Sequence, residues 1–295
     1  MSKVIDIALI GPGKVGTSIC VLAAKSGYRV TAIGGRNLDK AQRSAKLIGG
    51  NPKTCSPLDA ARSAGLILLA VSDGAIQPVC KELAKQNAFS SEQIVAHLSG
   101  ALSSEALSSA RNLCGVKTGS FHPLQMFPTV EAALAAMPGS HWFCEGEREA
   151  LEVLEELVRK IGGHPHTITA ANKALYHCSS VIACNYLNAL MDIALTVAEQ
   201  AGLERKTAWE ALLPLIRATI ANIDKLGTAD SLTGPIERGD VQTVADHLHA
   251  LGNNNPEITD IYKILGDWTI RLAHEKGSLK PEDESKLRKE LGKHR

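Results

Sequence analysis

Three basic residues in this sequence lie where they could transfer a proton. His122 belongs to the stretch GSFHPLQMFP, at a His-Pro step that follows an apolar run. Lys173 and His177 lie four residues apart in KALYHCSSVIACNYLNAL, which contains neither Pro nor Gly and predicts a helix with both residues on one face. An ammonium or an imidazole can protonate an atom that is gaining negative charge, so all three residues are candidate catalytic groups.

Each of these residues also has an ordinary structural alternative. Lys173 could be a solvent-facing residue of the first helical turn, and His177 could be a packed core histidine. His122 could hydrogen-bond only at a joint between domains. The residue types alone do not decide between these roles.

Candidate substrate-binding groups lie in the second half of the chain. Asn185 follows on the same predicted helix, about 100° from the line of Lys173 and His177. The stretch SLTGPIERGD breaks a helical run, and Arg238 within it could bind a carboxylate with two hydrogen bonds. Alternatively, Arg238 pairs with Asp240 to hold the loop, and Asp240 caps the next helix.

A glycine-rich turn near the start of the chain is typical of a phosphate-binding site. The motif G-x-G-x-x-G follows the predicted strand Val4–Ile10 and opens the predicted helix Lys14–Lys25. Gly11 would allow the tight turn, Gly13 the approach of a pyrophosphate, and Gly16 close helix packing. The alternative is a glycine turn without a ligand. The predicted cofactor-binding residues here are Gly11, Pro12, Gly13, Lys14, Val15 and Gly16.

The end of the second predicted strand favours NADP(H) over NAD(H). An NAD site usually has a carboxylate about 20 residues after the glycine turn, where this chain reads AIGGRN. Arg36 instead offers a planar cation suited to a 2′-phosphate, unless it is a surface residue without a role. Lys40 could assist it or be solvated. The predicted cofactor-binding residues here are Gly35, Arg36 and Asn37.

These residues require a scaffold, and the chain predicts an α/β one. Apolar β-branched runs alternate with helical patterns through residues 1–168, which indicates a doubly wound parallel sheet of the Rossmann type. Residues 169–295 predict an all-helical second domain for substrate binding and dimerisation. The predicted strands are Val4–Ile10, Arg29–Ile33, Leu66–Val71, Gln93–His97, Val116–Phe121 and His141–Cys144.

Polar residues follow three successive predicted strands, and ligands bind at that edge of such sheets. Ser72 and Asp73 follow one strand, and we expect Asp73 to cap the next helix. His122 follows another strand, which Pro123 should prevent from continuing as a central strand. The predicted cofactor-binding residues at this edge are Val71, Ser72 and Ser99.

Composition excludes several other classes of protein. The 295 residues carry a net charge of +1 without a basic block, which argues against nucleic acid as a partner. The seven cysteines form no Cys-x-x-Cys pair, so we expect reduced thiols and no metal site. No run of about 18 uninterrupted apolar residues predicts a membrane span. The N-terminus lacks the pattern of a signal peptide, and we expect a cytoplasmic protein.

Taken in order, the motifs GPGKVG, GGRN, AVSDGAI, HLSG, SFHPLQMF, KALYH and LTGPIERGD resemble one family. This is the family of Rossmann-like short-subunit dehydrogenases with an uncharacterised helical C-terminal domain. It is similar in architecture to pyrroline-5-carboxylate reductase, the 3-hydroxyacid dehydrogenases and ketopantoate reductase. The resemblance implies a homodimer built through the helical domain. It also matches Lys173 to the catalytic lysine of the hydroxyacid dehydrogenases and ketopantoate reductase, although His177 stands where those two have Asn.

The resemblance and the residues together predict an NADPH-dependent reductase of a small 2-oxo acid. The best single substrate candidate is 2-dehydropantoate, which would make the protein a ketopantoate reductase of pantothenate synthesis. One alternative is an imine reductase of the pyrroline-5-carboxylate reductase type. Another is an NADP(H)-binding sensor without turnover, because a nucleotide-binding fold does not guarantee chemistry.

Overall fold

The computed structural model describes residues 5–252 and 255–292 and contains an eight-stranded sheet. The strand order is β3-β2-β1-β4-β5-β6-β7-β8, with all neighbours parallel except the antiparallel pair β6–β7. The order reverses between β1 and β4, as in a doubly wound fold. The strands are β1 (Ile7–Ile10), β2 (Val30–Gly34), β3 (Lys53–Cys55), β4 (Leu66–Leu69), β5 (Ile94–His97), β6 (Lys117–Pro123), β7 (His141–Gly146) and β8 (His164–Thr167).

Helices cover both faces of this sheet, which confirms the predicted fold class. Successive residues of β1 point to opposite faces, so Ile7 and Leu9 join one core cluster and Ala8 and Ile10 join the other. Burial on both faces explains why these strands are continuously apolar. The helices of this part are α1 (Lys14–Lys25), α2 (Leu38–Ile48), α3 (Pro57–Ala61), α4 (Asp73–Lys85), α5 (Ser108–Cys114), α6 (Val130–Ala136), α7 (Arg148–Lys160) and α8 (Lys173–Ser180).

The expectation that Pro123 would end the strand at Phe121 is wrong, because β6 continues through Pro123. Pro123 lies opposite Trp142 of β7, and the next residue, Leu124, donates its N–H to the carbonyl of His141 at 2.9 Å. Pro123 therefore occupies a non-hydrogen-bonded pair of the antiparallel ladder, where no donor is needed. On the other side, β5 has already ended opposite Ser120.

Four short elements, β3, α3, α6 and β8, were not predicted. Each is only three to seven residues long, too short to show a clear period. The strand β3 forms one edge of the sheet. A 3₁₀ helix, Ser104–Leu107, also precedes α5.

The chain divides into two compact units, Met1–Asn185 and Tyr186–Arg295. The predicted domain boundary, after residue 168, lies where the strands end, whereas α8 still contacts β6 and belongs to the first unit. The second unit is helical and has a small core of its own around Val244, Ile270 and Leu287. Its helices are α9 (Tyr186–Gln200), α10 (Arg205–Asp230, with a break at Gly227), α11 (Val241–Leu251), α12 (Pro256–Lys276) and α13 (Pro281–Glu290).

One helical run among the described residues, Ala170–Gln200, is long and apolar enough to cross a membrane by length and composition alone. None of its most apolar window is buried within this chain. The run carries Lys173, which is buried against the sheet, and Asp192, which forms an ion pair with Arg205. Both charged side chains contact other parts of the protein, as they would in a helix outside a membrane. Our prediction therefore stays that this run does not span a membrane.

Candidate active site

The glycine turn between β1 and α1 is shaped by close packing at two of its three glycines. Gly11 has a φ of +94°, and a Cβ there would lie 2.7 Å from the carbonyl oxygen of Ala70. A Cβ on Gly16 would lie 2.5 Å from the Ala70 Cβ and 2.7 Å from Cδ1 of Leu9. At Gly13 the nearest protein atom would be 3.7 Å away. The fold itself therefore requires Gly11 and Gly16, while the space above Gly13 is open.

A cavity of about 350 Å³ adjoins this turn and the N-terminus of α1. The first turn of α1 has no acidic residue and no side-chain cap, so its N–H groups and partial positive charge remain for an anion. Lys14 donates its ammonium group to the Pro128 carbonyl at 2.6 Å. The predicted cofactor-binding residues that line the cavity are Gly13, Lys14, Val15, Gly16, Val71, Ser72 and Ser99.

Of the three predicted cofactor-binding residues at the end of β2, two have structural contacts within the protein and one does not. Asn37 is the N-cap of α2, and its side chain accepts the N–H of Lys40 at 2.9 Å. Gly35 packs against Pro12, where a Cβ would lie 3.0 Å from the proline ring. Arg36 is exposed and makes no hydrogen bond or ion pair with another described residue. Its guanidinium group is therefore free for a ligand.

The loops after β4 and β5 are joined by a hydrogen bond that differs from the expected cap. Ser72, not Asp73, is the N-cap residue of α4, so the expectation for Asp73 is wrong. The Asp73 carboxylate instead accepts the hydroxyl of Ser99 at 2.8 Å. The Ser99 oxygen in turn accepts the N–H groups of Ala101 and Leu102 at 3.2 and 3.0 Å. Ser99 thus fixes the loop that forms one wall of the cavity.

His97 at the end of β5 is fully buried and fixes the same loop. Its Nδ1 accepts the N–H of Ser99 at 3.2 Å, so its Nε2–H must donate to the Ser103 carbonyl at 3.0 Å. Both bonds suit the neutral imidazole. Burial lowers the pKa of His97 to about 4, which keeps the ring neutral at physiological pH.

The strand β6 and the helix α8 bring the three predicted catalytic residues together. Ser120 and His122 are two residues apart and lie on the same face of β6. Lys173 and Tyr176 are three residues apart and lie on the same face of α8. The Lys173 ammonium donates to the Ser120 hydroxyl at 2.5 Å, and the Tyr176 hydroxyl lies 2.9 Å from Nδ1 of His122. The ring of His177 meets that of His122 edge-on, with centroids 6.3 Å apart.

The half-buried His122 lines the cavity, and its partner Tyr176 keeps it in place. Burial, followed by the nearby Lys173 and His177, lowers the pKa of His122 to about 4. Burial raises the pKa of Tyr176 to about 12. Both rings are therefore neutral near pH 7, and their hydrogen bond has either the phenol or the Nδ1–H as donor. His122 thus presents to the cavity a neutral ring that is hydrogen-bonded to Tyr176.

The structure excludes one of the two roles considered for Lys173. It is only 1 % exposed, so it is not a solvent-facing residue of the first turn. Burial lowers its pKa from 10.5 to about 8, against the opposing effect of the Glu145 carboxylate. Its ammonium group contacts Ser120 behind the cavity wall, so it influences His122 through its charge.

The loop residue Gly100 lets the two histidines approach each other. A Cβ on Gly100 would lie 2.8 Å from Cε1 of His122 and 2.8 Å from Cδ2 of His177. Any side chain here would push both rings away. The sequence HLSG contains this glycine, but no local pattern connects it to His122 and His177, which follow 22 and 77 positions later.

The three predicted substrate-binding residues lie in three different local settings. Asn185 ends a π-helical segment, Val181–Asn185, whose wider turn breaks the 100° spacing on which its predicted position rested. Asp240 caps α11 by accepting the N–H and the hydroxyl of Thr243 at 3.1 and 2.7 Å, as one alternative expected. Arg238 is exposed and forms no ion pair with a described residue. Its substrate role stays a prediction.

No group of three or more His, Cys, Asp or Glu side chains within residues 5–252 and 255–292 is arranged to hold a metal ion. Five of the seven cysteines are at least partly buried, and Cys178 and Cys184 are exposed.

Comparisons with known proteins assign both parts of the chain. Residues 2–123 match the family model of the Rossmann-like domain, and residues 140–269 match DUF2520, a domain of unknown function. No curated protein matches the chain in sequence.

Solved structures share the fold over nearly the whole chain. Protein TM1727 from Thermotoga maritima is 24% identical, covers 92% of this chain and 99% of its own, and has a TM-score of 0.69. A reductive aminase from Aspergillus terreus in complex with NADPH and ethyl levulinate is 15% identical, covers 97% and 99%, and has a TM-score of 0.66. An imine reductase from Myxococcus stipitatus, a variant in complex with NAD⁺, is 15% identical, covers 97% and 99%, and has a TM-score of 0.62.

At these identities the likeness is one of fold, and the chemistry must be argued from the residues. The chain combines a Rossmann-like domain with a DUF2520 domain, in the fold that nicotinamide-dependent oxidoreductases use.

Proposed function

We propose that the protein is an NADP(H)-dependent oxidoreductase that reduces a carbon–oxygen or carbon–nitrogen double bond of a small molecule. The observation that carries this proposal is the position of the neutral His122–Tyr176 pair. His122 lies on the wall of the same cavity that borders the open glycine turn. A hydride acceptor in that cavity would therefore have a proton source beside it.

The residues present fit a dinucleotide phosphate. The open space above Gly13 and the uncapped N-terminus of α1 suit a pyrophosphate, because backbone N–H groups can reach it there. The unpaired guanidinium of Arg36 would bind the 2′-phosphate of NADP(H). The reactive end would lie near Ser72, Ser99 and His122. When bound, the cofactor supplies the hydride.

The protein residues have three tasks in this scheme. Ser99, held by Asp73, keeps the loop over the cavity in one conformation. His122 and Tyr176 deliver the proton to the atom that gains negative charge. The buried Lys173 adds positive charge behind them, which favours that charge build-up. The arrangement favours the His122–Tyr176 pair over Lys173 as the direct proton donor.

Two substrate classes fit this chemistry. A 2-oxo acid such as 2-dehydropantoate, our first candidate, would need a cation for its carboxylate, and Arg238 is the residue we propose. An imine is the second candidate, favoured by the folds of an imine reductase and a reductive aminase. An imine is more basic than a ketone and needs less help from Lys173. Loss of Lys173 should therefore be severe for a ketone and mild for an imine.

The test is NADPH oxidation with a panel of 2-oxo acids, including 2-dehydropantoate, and cyclic imines, including 1-pyrroline. We expect turnover with one class, and a Lys173→Met variant measured beside the wild type separates the two. Saturable NADPH binding without turnover of any substrate would contradict the proposal that the protein is an enzyme, and it would favour an NADP(H)-binding sensor. A lack of NADPH binding would contradict both.

We also propose a homodimer built through the helical part of the chain. Large apolar side chains on α8, α9 and the π-helical segment between them are exposed, among them Leu175, Ile182 and Tyr186. Large exposed apolar side chains in such number are typical of a subunit interface. Light scattering should give twice the mass of the 31.3 kDa chain. A monomer at micromolar concentration would contradict the proposal.

A further inference from the structure

A buried carboxylate, Glu145 on β7, lies on the face of the sheet that α8 covers. It is only 4% exposed and accepts three hydrogen bonds. Ser104 donates its backbone N–H at 2.7 Å and its hydroxyl at 2.7 Å, and the Ser120 hydroxyl donates at 3.1 Å. A carboxylate is costly to bury without such partners. Three donors thus surround the carboxylate oxygens.

Glu145 and Lys173 are connected through one hydroxyl group. Ser120 lies directly opposite Glu145 in the β6–β7 register, so both side chains project from the same face. An ammonium group can only donate, so the Ser120 oxygen accepts from Lys173 at 2.5 Å. The single hydrogen of that hydroxyl then goes to Glu145. The geometry fixes the direction of both bonds.

Few other charges act on Lys173. Cys144 on β7 is close, but burial raises its pKa to about 12, so it is a neutral thiol. The carboxylate of Asp73 on α4 acts in the same sense as Glu145 but more weakly. His97 on β5 and His122 on β6 face the lysine as neutral rings at physiological pH. Glu145 is therefore the main negative charge that holds the ammonium form.

We propose that Glu145, acting through the Ser120 hydroxyl, keeps the buried Lys173 amine charged and fixed on the face of β6 that carries His122. Glu145 and Ser120 are then positioning residues of the active site. Their importance for turnover rests on the proposed function, whereas their effect on Lys173 does not.

The test follows the titration of Lys173 directly. Protein labelled with [¹³C]lysine is titrated from about pH 6 to about pH 11, and Lys173→Met identifies the signal. We expect wild-type Lys173 to titrate near pH 8. In Glu145→Gln and in Ser120→Ala its pKa should fall by about one pH unit or more, because a charge and its relay are removed. An unchanged titration in both variants would overturn the proposal.

Matched variants keep the result interpretable. Glu147→Gln removes a carboxylate that also bonds to β6, through Thr118 at 2.8 Å, and it should leave Lys173 unchanged. Ser120→Ala retains both bonds from Ser104 to Glu145, so it should fold even if Glu145→Gln does not. Ser120→Thr keeps the hydroxyl and should restore the wild-type titration. A shift in Ser120→Thr as large as in Ser120→Ala would overturn the role of the hydroxyl.

Coupling and activity complete the test. The double variant Glu145→Gln/Ser120→Ala should shift Lys173 no more than the larger single change, because both act on one path. If the two changes in the Lys173 pKa add up in the double variant, Glu145 does not act through the Ser120 hydroxyl, and the proposal is overturned. With an active ketone substrate, Glu145→Gln should lower kcat about two-fold or more at pH 7, because a pKa that falls from about 8 to about 7 roughly halves the ammonium form of Lys173. The KM for NADPH should stay unchanged, and the pH profile should shift. If no substrate is turned over, the proposed function fails, and the titration still decides the role of Glu145.

Discussion

The Tyr176 hydroxyl lies 2.9 Å from Nδ1 of His122, which joins two elements 54 residues apart in the chain. One helical turn earlier, Lys173 contacts Ser120 on the same strand face. Two pairs of side chains therefore lie side by side between β6 and α8. One pair is neutral and adjoins the cavity, and the other is charged and buried behind it.

Removing the neutral pair should impair turnover more than cofactor binding. We expect His122→Ala and Tyr176→Phe each to lower kcat by about 10²-fold, as the loss of a proton donor does. The Kd for NADPH should change less than about three-fold, because the phosphate contacts remain. Tyr262→Phe, which removes the hydrogen bond between the Tyr262 hydroxyl and Nδ1 of His247 outside the site, is the matched control. Equal losses in kcat and in NADPH affinity would mean that the pair only holds the cofactor.

The glycine turn offers a comparison of two matched substitutions. Gly13→Ala should fold with a free energy of unfolding within about 1 kcal/mol of wild type, since the site has room for a methyl group. It should weaken NADPH binding at least ten-fold, roughly 1.4 kcal/mol, because the methyl group blocks the pyrophosphate.

Gly16→Ala should show the opposite result. Its Cβ would collide with Ala70 and Leu9, so we expect the free energy of unfolding to fall by about 1–3 kcal/mol. Denaturant unfolding and NADPH titration of both variants check this pair of predictions. Stable Gly16→Ala together with normal NADPH binding by Gly13→Ala would contradict our description of the turn.

Arg36 should decide between the two nicotinamide cofactors. Replacing it by Ala should weaken NADPH binding about 10- to 100-fold, the effect of losing a charged hydrogen-bonded pair. NADH, which lacks the 2′-phosphate, should bind as before. Lys46→Ala, which removes an exposed positive charge from the last turn of α2, is the control, and fluorescence titration with both cofactors is the measurement. If the binding of NADH is weakened as much as that of NADPH, Arg36 does not bind the 2′-phosphate.

Acid should destabilise the protein through two buried histidines. His97 and His122 are neutral in the folded protein down to about pH 4 but take up protons near pH 6.5 when unfolded. The unfolded state therefore binds more protons between these values, and stability falls as the pH falls from about 6.5 to about 4. Each histidine contributes about 3 kcal/mol to this loss.

A histidine variant checks the acid prediction. His97→Gln removes one titrating group and can still donate towards the Ser103 carbonyl. Its free energy of unfolding should depend less on pH over this range than that of wild type. His164→Gln, at an exposed position, should leave the pH dependence unchanged. Identical slopes for wild type and His97→Gln would contradict the prediction.

The sequence predicts the glycine turn and most of the strands because their signals are local. The motif Gly11–Gly16 lies between an apolar strand and a helix, and both follow from residue type and period. The face shared by Lys173 and His177 also follows from helical spacing. These features need only neighbours within about ten residues.

The rest of the site depends on pairings between distant segments. Ser120 meets Glu145 only because β7 runs antiparallel to β6 in one register, and nothing local in the sequence specifies that register. Glu145 did carry a signal, as a single carboxylate inside the apolar strand HWFCEG. The π-helical segment before Asn185 left no such signal.

The central claim is that NADPH binds along the glycine turn with its reactive end at His122. The most direct measurement is the imidazole Cε1–H signal of His122 during titration with NADPH. We predict a saturable shift with NADPH and almost none with 2′,5′-ADP, which would occupy only the phosphate-binding end. A His122 signal that is unchanged at saturating NADPH would contradict the account.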